Sequence, residues 1–536
     1  MKKEIIENLI TAKKQTGKEL EKIKRSLMSS YRAKSPNNIS LLKFYHEMGK
    51  SKRKALFNKL NVPFSQEKDD LIKKILTTRP VRSLSGIVNV SVLTKPYPCP
   101  GKCIFCPQED NIPKSYLKNE PAVMRAIMNK YSPRRQVNIR IEALKMSGHP
   151  VDKIELRIIG GTWSYYPKRY QKWFIKECFQ ACNNFNSRKK NLYGSLEQEH
   201  KRNEKARHRV VGLSVETRPD FIDKEEIKWL RSLGVTSVEL GVQSIYDDVL
   251  KKIKRGHTVS ETIKATKLLK DAGIKVSYQM MPNLPGSTLK RDIDLFKTLF
   301  SDSRFQPDYL KIYPMAVIKN TEAYKLWINK RYKPYSDLQL KKLFKEIKKN
   351  IPRYVRIQRL IRDIPAQDIE AGTKISNLRQ IVLDEMKKEN ISCKCIRCRE
   401  VKEDYNPEEK LLLFREDYLA SQGKEVFLSY EDKKRRKVYS ILRLRLPSFD
   451  DMPIKILDNS TLIREVHTYG QQISLKEKGL SPQHKGLGKK LIKEAERISK
   501  EEFGIKKIAV ISSVGTRDYY RKLNYRKKGD YLFKDL

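Results

Sequence analysis

Cys99-Pro-Gly-Lys-Cys103-Ile-Phe-Cys106 follows the apolar run Ile87–Leu93 and carries three cysteines in C-x3-C-x2-C spacing. Thiolates at that spacing on one short loop can converge on a single inorganic core. Zinc ordinarily takes four ligands. A four-iron cluster held by three thiolates leaves one iron open to a second molecule. The triplet therefore admits two readings, an open cluster or a zinc knuckle with a remote fourth ligand, and its surroundings must choose.

From about Val81 short apolar strands alternate with longer helical patterns. The candidate strands are Ile87–Leu93, 154–159, 210–215, 237–241, Lys275–Met280 and 309–313. One intervening helix is well punctuated: Thr258-Val-Ser-Glu261 forms a capping box, Ile263, Leu268 and Leu269 give an apolar face, and Gly273 ends it. Strands separated by helices build a parallel sheet, and six of them predict an open or partial β/α barrel. Functional groups in such sheets sit just past the strand C-termini. The cysteine loop follows the first strand, which favours the cluster. Gly160-Gly161-Thr162, Glu216-Thr-Arg-Pro219, Glu239 through Gln243, and Gln279 through Pro282 fall at the ends of the next four strands. The polar stretch from Asn183 to Arg209 reads as a surface loop, and Cys178 and Cys182 as buried core thiols. An iron that chelates SAM and delivers one electron to its sulfonium is the mark of radical S-adenosylmethionine (SAM) enzymes, which this half of the chain resembles.

With 113 Lys and Arg against 63 Asp and Glu in 536 residues, the net charge is +50. Such an excess fits a polyanionic partner, most simply nucleic acid. Up to Pro80 the chain has 20 basic and 8 acidic residues, with helical periodicity at Ile5, Leu9, Leu20, Ile23 and Leu27 and a break at Ser35-Pro-Asn-Asn. It reads as a basic helical segment, either a solvated cap or a grip on nucleic acid, and the global charge favours the grip. No run of about 18 apolar residues exists, and no signal-peptide core. The eight cysteines, two triplets and a pair, are a metal pattern for a reducing cytoplasm rather than a disulfide framework.

The second triplet, Cys393-Lys-Cys395-Ile-Arg-Cys398, follows a helical stretch and no sheet strand, so a structural zinc is favoured there over a cluster; its fourth ligand is not evident. From about Lys410 the pattern changes again. Residues 426–430 and Val438–Leu446 form a predicted hairpin, and a strand over 462–469 leads through Gln483-His-Lys-Gly486-Leu-Gly488 into an amphipathic helix ending near Phe503. A glycine-bearing loop at a helix N-terminus offers free N–H groups to a pyrophosphate. Strand 508–511 and Gly515-Thr-Arg-Asp-Tyr519-Tyr520 follow. That order resembles the GNAT acetyltransferases, which bind acetyl-CoA. Tyr520 falls where they place a phenol near the thioester; a tyrosine stacked in a core is the other reading of the same residue.

Together the two halves resemble the family of the Elongator catalytic subunit, the third Elongator protein, with its stand-alone archaeal and bacterial members. The match lies in Pro80-Val-Arg-Ser-Leu-Ser-Gly-Ile, Glu120-Pro-Ala-Val-Met-Arg-Ala-Ile, Gly148 through Lys153, Gly160-Gly-Thr, Glu216-Thr-Arg-Pro-Asp220, Gly241-Val-Gln-Ser, Arg255-Gly-His-Thr, Arg464 through Gly470, Gln483-His-Lys-Gly and Ile508 through Leu523. The resemblance implies an α/β protein: a radical SAM partial (β/α) barrel plus a C-terminal α+β GNAT domain, behind a basic helical N-terminal segment. The expected boundaries are 1–75 for that tRNA-binding segment, 76–370 for the barrel, 371–409 for a linker with the cysteine knuckle, and 410–536 for the GNAT domain. The implied activity converts the wobble uridine of tRNA to 5-carboxymethyluridine. A SAM-derived deoxyadenosyl radical takes hydrogen from the acetyl methyl of acetyl-CoA, the carbon radical adds to uridine C5, and the thioester is hydrolysed. Cys99, Cys103 and Cys106 would hold the [4Fe-4S] cluster, and Cys393, Cys395 and Cys398 zinc. Tyr520 and Lys153 would be catalytic. The expected cofactor contacts are Lys153, Gly160, Gly161, Glu216, Gln243, Glu465, Val466, His467, Thr468, Gln483, Gly486, Leu487, Gly488, Lys489, Tyr519 and Tyr520. Expected partners are the tRNA anticodon stem-loop, SAM, acetyl-CoA and an electron donor. No membrane or obligatory protein partner is indicated, and a homodimer is compatible. The family's eukaryotic members space the first two cysteines further apart, and the second triplet is not kept throughout. The alternative, a protein lysine acetyltransferase with a structural cluster, is disfavoured because a +50 chain repels lysine-rich tails.

Overall fold

The computed structural model describes residues 1–31, 35–78, 85–187, 193–402, 406, 408–470 and 486–536. Gln483, with the rest of the loop before Gly486, and the Pro80–Leu84 part of the first motif lie outside the described residues. The chain forms two compact units, Met1–Val88 with Asn138–Lys153, and Asn89–Val137 with Ile154–Leu536.

Five helices open the first unit: Lys2–Thr11, Gly17–Tyr31, Asn38–Glu47, Gly49–Lys59 and Gln66–Leu76. The side chains of Asn37 and Ser65 cap the third and fifth by accepting from the backbone N–H of Ser40 and Lys68. The apolar spacing read in the sequence closes a real core: Ile5, Leu9, Leu20, Leu27, Leu41, Phe57 and Ile72 are buried together. Inside it Asp69 accepts from Tyr45 at 2.8 Å and from Arg53 at 2.8 Å, so the one fully buried carboxylate here is paired.

A seven-stranded sheet then runs in chain order: β1 (Ile87–Leu93), β2 (Lys153–Ile159), β3 (Arg209–Thr217), β4 (Ser237–Gln243), β5 (Lys275–Met280), β6 (Tyr309–Ile312) and β7 (Arg356–Leu360). The pairs from β3 to β7 are parallel. This is the expected half-barrel with one strand more. β7, Arg-Ile-Gln-Arg-Leu, is too short and polar to register as an apolar run. The Thr258 capping box forms, and Gly273 ends that helix at φ +75°. The Asn183–Arg209 stretch is not the expected loop. Helix Leu196–Asn203, started by a Ser195/Gln198 capping box, packs there with Leu196, Glu199, His200 and Asn203 buried. Its charged sequence hides a buried face because Glu199 is ion-paired to Arg202 at 2.9 Å.

The C-terminal sheet has the order β13-β14-β12-β11-β10-β9-β8. Its strands are β8 (Leu411–Ala420), β9 (Gly423–Asp432), β10 (Val438–Leu446), β11 (Thr461–Thr468), β12 (Lys507–Val510), β13 (Arg526–Lys528) and β14 (Tyr531–Asp535). Only β11–β12 is parallel among the pairings seen; the rest are antiparallel. One face packs Leu428, Leu442, Leu444 and Ile463 on Leu491, Ile492 and Ala495 of the helix Leu487–Arg497.

The other face meets the half-barrel. A bulge in β11, where Arg443 pairs with Glu465 but Leu444 with Ile463, leaves Arg464 as the extra residue. The bulge turns it away from the apolar face. Arg464 donates to Asp308, just before β6, at 2.6 Å and to Glu425 of β9 at 2.9 Å. Arg445 binds Asp271 at 2.6 Å, and Arg443 binds Glu465 at 2.8 Å. Lys270 lies 3.5 Å from both Asp308 and Glu425. Four cations and four anions thus balance in a region where Asp308, Asp271, Lys270, Arg443 and Arg445 are fully buried. No described helix is long and apolar enough to cross a membrane.

Candidate active site

Cys99, Cys103 and Cys106 are partly buried on the loop past β1. A Cβ placed on Gly101 would stand 3.6 Å from the sulfurs of both Cys99 and Cys103, and 2.8 Å from Arg218 Nη1. Arg218 is buried and fixed by Asp220, at 2.9 and 2.7 Å, and by the Gly256 carbonyl at 3.1 Å. Its Nη1 has no hydrogen-bond partner among the described residues and lies against Gly101, between Cys99 and Cys103 in the chain. Arg255 donates to Cys103 Sγ at 3.5 Å. Two guanidiniums facing three sulfurs fit an anionic cluster bound there. Burial, then the neighbouring Cys103, pushes the Cys106 thiol up to about 12, so metal must displace its proton on binding.

Gly160 and Gly161, at the end of β2, have φ of +132° and +103°. A Cβ on Gly160 would meet Thr94 Oγ1 at 2.0 Å, and Thr94 continues β1 toward the cysteines. Gly160→Ala is therefore expected to cost about 2 kcal/mol or more in strain and to loosen the loop. A lower unfolding temperature together with poorer iron retention than wild type would show this; an unchanged iron content would separate the turn from the cysteine site.

Below this rim the half-barrel's inner face is charged. Arg157 of β2 donates to Glu239 of β4 at 2.7 Å, and Lys311 of β6 is bonded to Glu239 and lies 3.4 Å from Glu216 of β3. Tyr116 donates to Glu216 at 3.0 Å, and Gln279 of β5 bridges Glu216 and Glu239 at 3.2 and 3.4 Å. Burial raises the Glu216 carboxyl, with Lys311 opposing; burial acts the same way on Glu239, but Arg157 and Lys311 outweigh it and hold it down. Lys311, Arg157 and Tyr116 were not found from the sequence. For Arg157 alone there is a signal, the alternation in Lys153-Ile-Glu-Leu-Arg157, where a strand covered on both faces by apolar packing would run continuously hydrophobic. Gln243 ends β4, buried, with φ +69°. Lys153 opens β2 half-buried and belongs to the first compact unit.

In the C-terminal sheet, β11 pairs with β12 only through Thr461, Leu462 and Ile463. Among the described residues it bonds β10 alone from Glu465 to Thr468, so there one backbone edge opens into a wedge. Gly486, at φ +67°, caps the helix Leu487–Arg497. Gly488 on its first turn brings the wedge together: Tyr519 Oη, Thr468 Oγ1 and Val466 Cγ1 lie 3.2, 3.7 and 3.7 Å from its Cβ position. Lys489 follows in the same turn, where N–H groups lack intrahelical partners. Tyr520 is buried in the core, its ring 5.2 Å from Tyr519, and burial raises its hydroxyl so that it is a neutral donor. Glu465 accepts from Tyr309 at 2.5 Å; burial would raise its carboxyl, but Arg443 prevails and holds it at about 2. His467, stacked on Tyr469, is lowered to about 4 by burial and stays neutral.

The sulfurs of Cys393, Cys395 and Cys398 lie within 4.8 Å of one another, and no fourth His, Cys, Asp or Glu joins them among the described residues. Arg379 and Lys348 donate to Cys398 at 3.6 and 3.8 Å. Tetrahedral thiolates on one zinc stand about 3.8 Å apart, so this tight group suits a single ion. The sulfurs of Cys99, Cys103 and Cys106 do not share such an envelope.

Residues 97–299 match the radical SAM superfamily, and 307–388 the radical SAM C-terminal domain. The chain is 45% identical over 535 residues to the tRNA uridine(34) acetyltransferase of Methanocaldococcus infernus, covering 97% of this chain and 95% of that one. It is 39% identical over 477 residues to Elongator complex protein 3 of Homo sapiens, covering 86% of each. A solved structure of the archaeal Methanocaldococcus infernus Elp3 with an N-terminal deletion superposes with a TM-score of 0.74 at 44% identity, covering 84% of this chain and 100% of that one.

Proposed function

The chain belongs to the family of tRNA uridine(34) acetyltransferases and Elongator complex protein 3, radical SAM enzymes of tRNA wobble modification, and we propose that its product is 5-carboxymethyluridine made with acetyl-CoA. The observation that supports the reading is the contact between Glu465 on the wedge strand and Tyr309 on β6, both in the second compact unit with the cysteine loop. A substrate fragment held in the wedge then need not cross bulk solvent between two separate domains.

In this reading Cys99, Cys103 and Cys106 hold the cluster, and Gly160, Gly161, Glu216 and Gln243 line the SAM site. A cluster with SAM supplies one-electron cleavage and a carbon radical there. Arg218 and Arg255 balance the charge of the thiolates, and the Glu239–Lys311–Glu216 chain keeps the barrel's inner face polar and ordered. The open edge of Glu465, Val466, His467 and Thr468 orients acetyl-CoA, as β-strand edges do with amide-bearing ligands. Gly486, Leu487, Gly488 and Lys489 offer N–H groups to its pyrophosphate, Tyr519 closes over Gly488, and Gln483 enters on family resemblance alone. Tyr520, a neutral phenol, gives a proton at the thioester. Lys153 enters on family resemblance alone. The second triplet holds zinc. Around Tyr520 the segment from Arg517 to Lys528 has six basic residues and one acid, which suits RNA rather than a lysine side chain.

Anaerobic incubation of cluster-reconstituted protein with tRNA, SAM, acetyl-CoA and reductant, followed by nucleoside mass spectrometry, tests this. A carboxymethyl adduct on uridine is expected. Tyr520→Phe, which keeps the ring in the core, should lower the yield about 10²-fold if the hydroxyl moves a proton. Cleaved SAM with unmodified uridine would refute the product, and acetylated lysine on added peptide without an RNA adduct would favour the acetyltransferase.

A further inference from the structure

Aromatic rings crowd one side of the cysteine loop, and the strand ends alone did not announce them. Tyr97 lies two residues before Cys99, Tyr165 three residues after Thr162, and Phe221 just past β3. Thr162 Oγ1 is 3.9 Å from Cys99 Sγ, which ties the turn bearing Tyr165 to the loop. Tyr165 meets Tyr97 at 5.9 Å, tilted, and Phe221 at 5.9 Å, edge-on. The Arg218 guanidinium lies 5.9 Å from the Phe221 ring. Most of the neighbouring rings are core: Tyr166, stacked 4.8 Å from Tyr97, is buried. Tyr165 is not, remaining 40% exposed although both its ring contacts hold it in place.

A ring that is held in place yet left half open at the mouth of a reaction site has lost side-chain freedom without gaining full burial. Its free surface is suited to another flat ring. Lys95 and Arg169 are exposed on the flanking segments, while Lys168 between them is ion-paired to Glu226; two such cations beside the rings give the cation–aromatic interleaving by which unpaired nucleotides are held: charge follows the phosphates, rings take the bases. Amino-acid side chains of a protein partner would gain less from this pairing on so basic a chain.

We propose that Tyr165, backed by Tyr97 and Phe221, is a stacking platform for an unpaired base of the RNA substrate beside the cysteine loop. This rests on the tRNA reading above and deepens it: the platform selects single-stranded loops, because a base in a duplex has no free face. Stacking holds a base next to the reacting position, or that position's own base, out of the loop stack.

The test uses the full-length protein and an anticodon stem-loop RNA with 2-aminopurine at each loop position in turn. Wild type should quench the probe at one position. Tyr165→Leu and Tyr165→Gln should relieve that quench and weaken binding about tenfold, while the slope of log affinity against log salt stays unchanged because no phosphate contact is lost. Tyr165→Phe should behave as wild type. Equal quenching and affinity in the Leu and Gln variants, each folded by circular dichroism, would overturn the proposal, as would a weakening that came with a shallower salt slope. Uridine modification by wild type on intact tRNA is read separately. Its presence beside an inert Tyr165→Leu removes only the platform, and its absence removes the reaction while the quench still judges the platform.

Discussion

Cys103→Ala should fold, bind RNA, and retain neither iron nor SAM cleavage. The residue is partly buried on a loop and supports no core, so the half-barrel has no reason to collapse without it. The cysteine set, however, has no spare member: an open cluster already uses the minimum of three thiolates, and two remain. Arg218 and Arg255 would then face two sulfurs rather than three, and positive charge cannot replace a ligand. Iron per chain after anaerobic reconstitution should drop from about four to background, and 5′-deoxyadenosine should not form with SAM and reductant. Cys398→Ala is the informative companion. Its triplet is compact and lies elsewhere in the chain, so that variant should keep iron and SAM cleavage and lose any bound zinc with some stability. Iron retained in Cys103→Ala, or lost in Cys398→Ala, would reverse the assignment of the two triplets.

Much of this was legible because the signals were local. Strand, tight loop and helix follow one another between β1 and β6, and hydrophobic runs bounded by glycine or capping boxes mark them within a residue or two, as at Lys275–Met280 and Thr258–Gly273. The cysteine spacing and Gly486 before its helix are local as well. What escaped was non-local. β8 alternates exposed and half-buried residues because it is the edge of its sheet, and its apolar start, Leu411–Phe414, gives way to Arg415-Glu-Asp417 in mid-strand. β13 and β14 are short strands completed only by β12, which precedes them by some sixteen residues. The pattern Leu442-Arg-Leu-Arg-Leu446 reads as a strand with one wet face, yet Arg443 and Arg445 are buried. Nothing in that strand shows this, because the acids that neutralise them lie on other elements: Asp271 beside Arg445 comes from the half-barrel, and Glu465 beside Arg443 from β11. The same reasoning explains Lys311 and Glu239: each looks like a solvated charge until the strands between them close into one sheet.

Those buried arginines lead to the second large effect. Asp308→Asn should destabilise the second compact unit by about 3–5 kcal/mol, the usual loss when one member of a buried ion pair is removed. The amide keeps the shape of the side chain and can still accept hydrogen bonds from Arg464. It cannot balance charge, so four buried cations would face three anions, and Lys270 and Arg443, at 3.5 and 3.7 Å, would share the deficit. The Asp308 carboxyl is held well below the usual range: burial acts to raise it, but Arg464 and then Lys270 prevail. A folded pKa below the unfolded value means this stabilisation is complete above about pH 4 and fades as pH falls toward the folded value. Asp308→Asn should accordingly lower the unfolding temperature most near neutrality and flatten the acid limb of the stability profile. Arg464→Gln removes the opposing charge, so the double variant should recover part of the loss, which a purely steric effect of the first change would not allow. If the double variant is instead as weak as the sum of the singles, the pair is not coupled and Asp308 does not hold the two sheets through Arg464. With coupling, the wedge strand is fixed to β6 through charge pairing that exists only when both sheets are in contact. Substitutions far from either reacting centre would then slow the whole reaction by letting the two sites drift apart, and their effect would appear in adduct yield while SAM cleavage by the half-barrel continued.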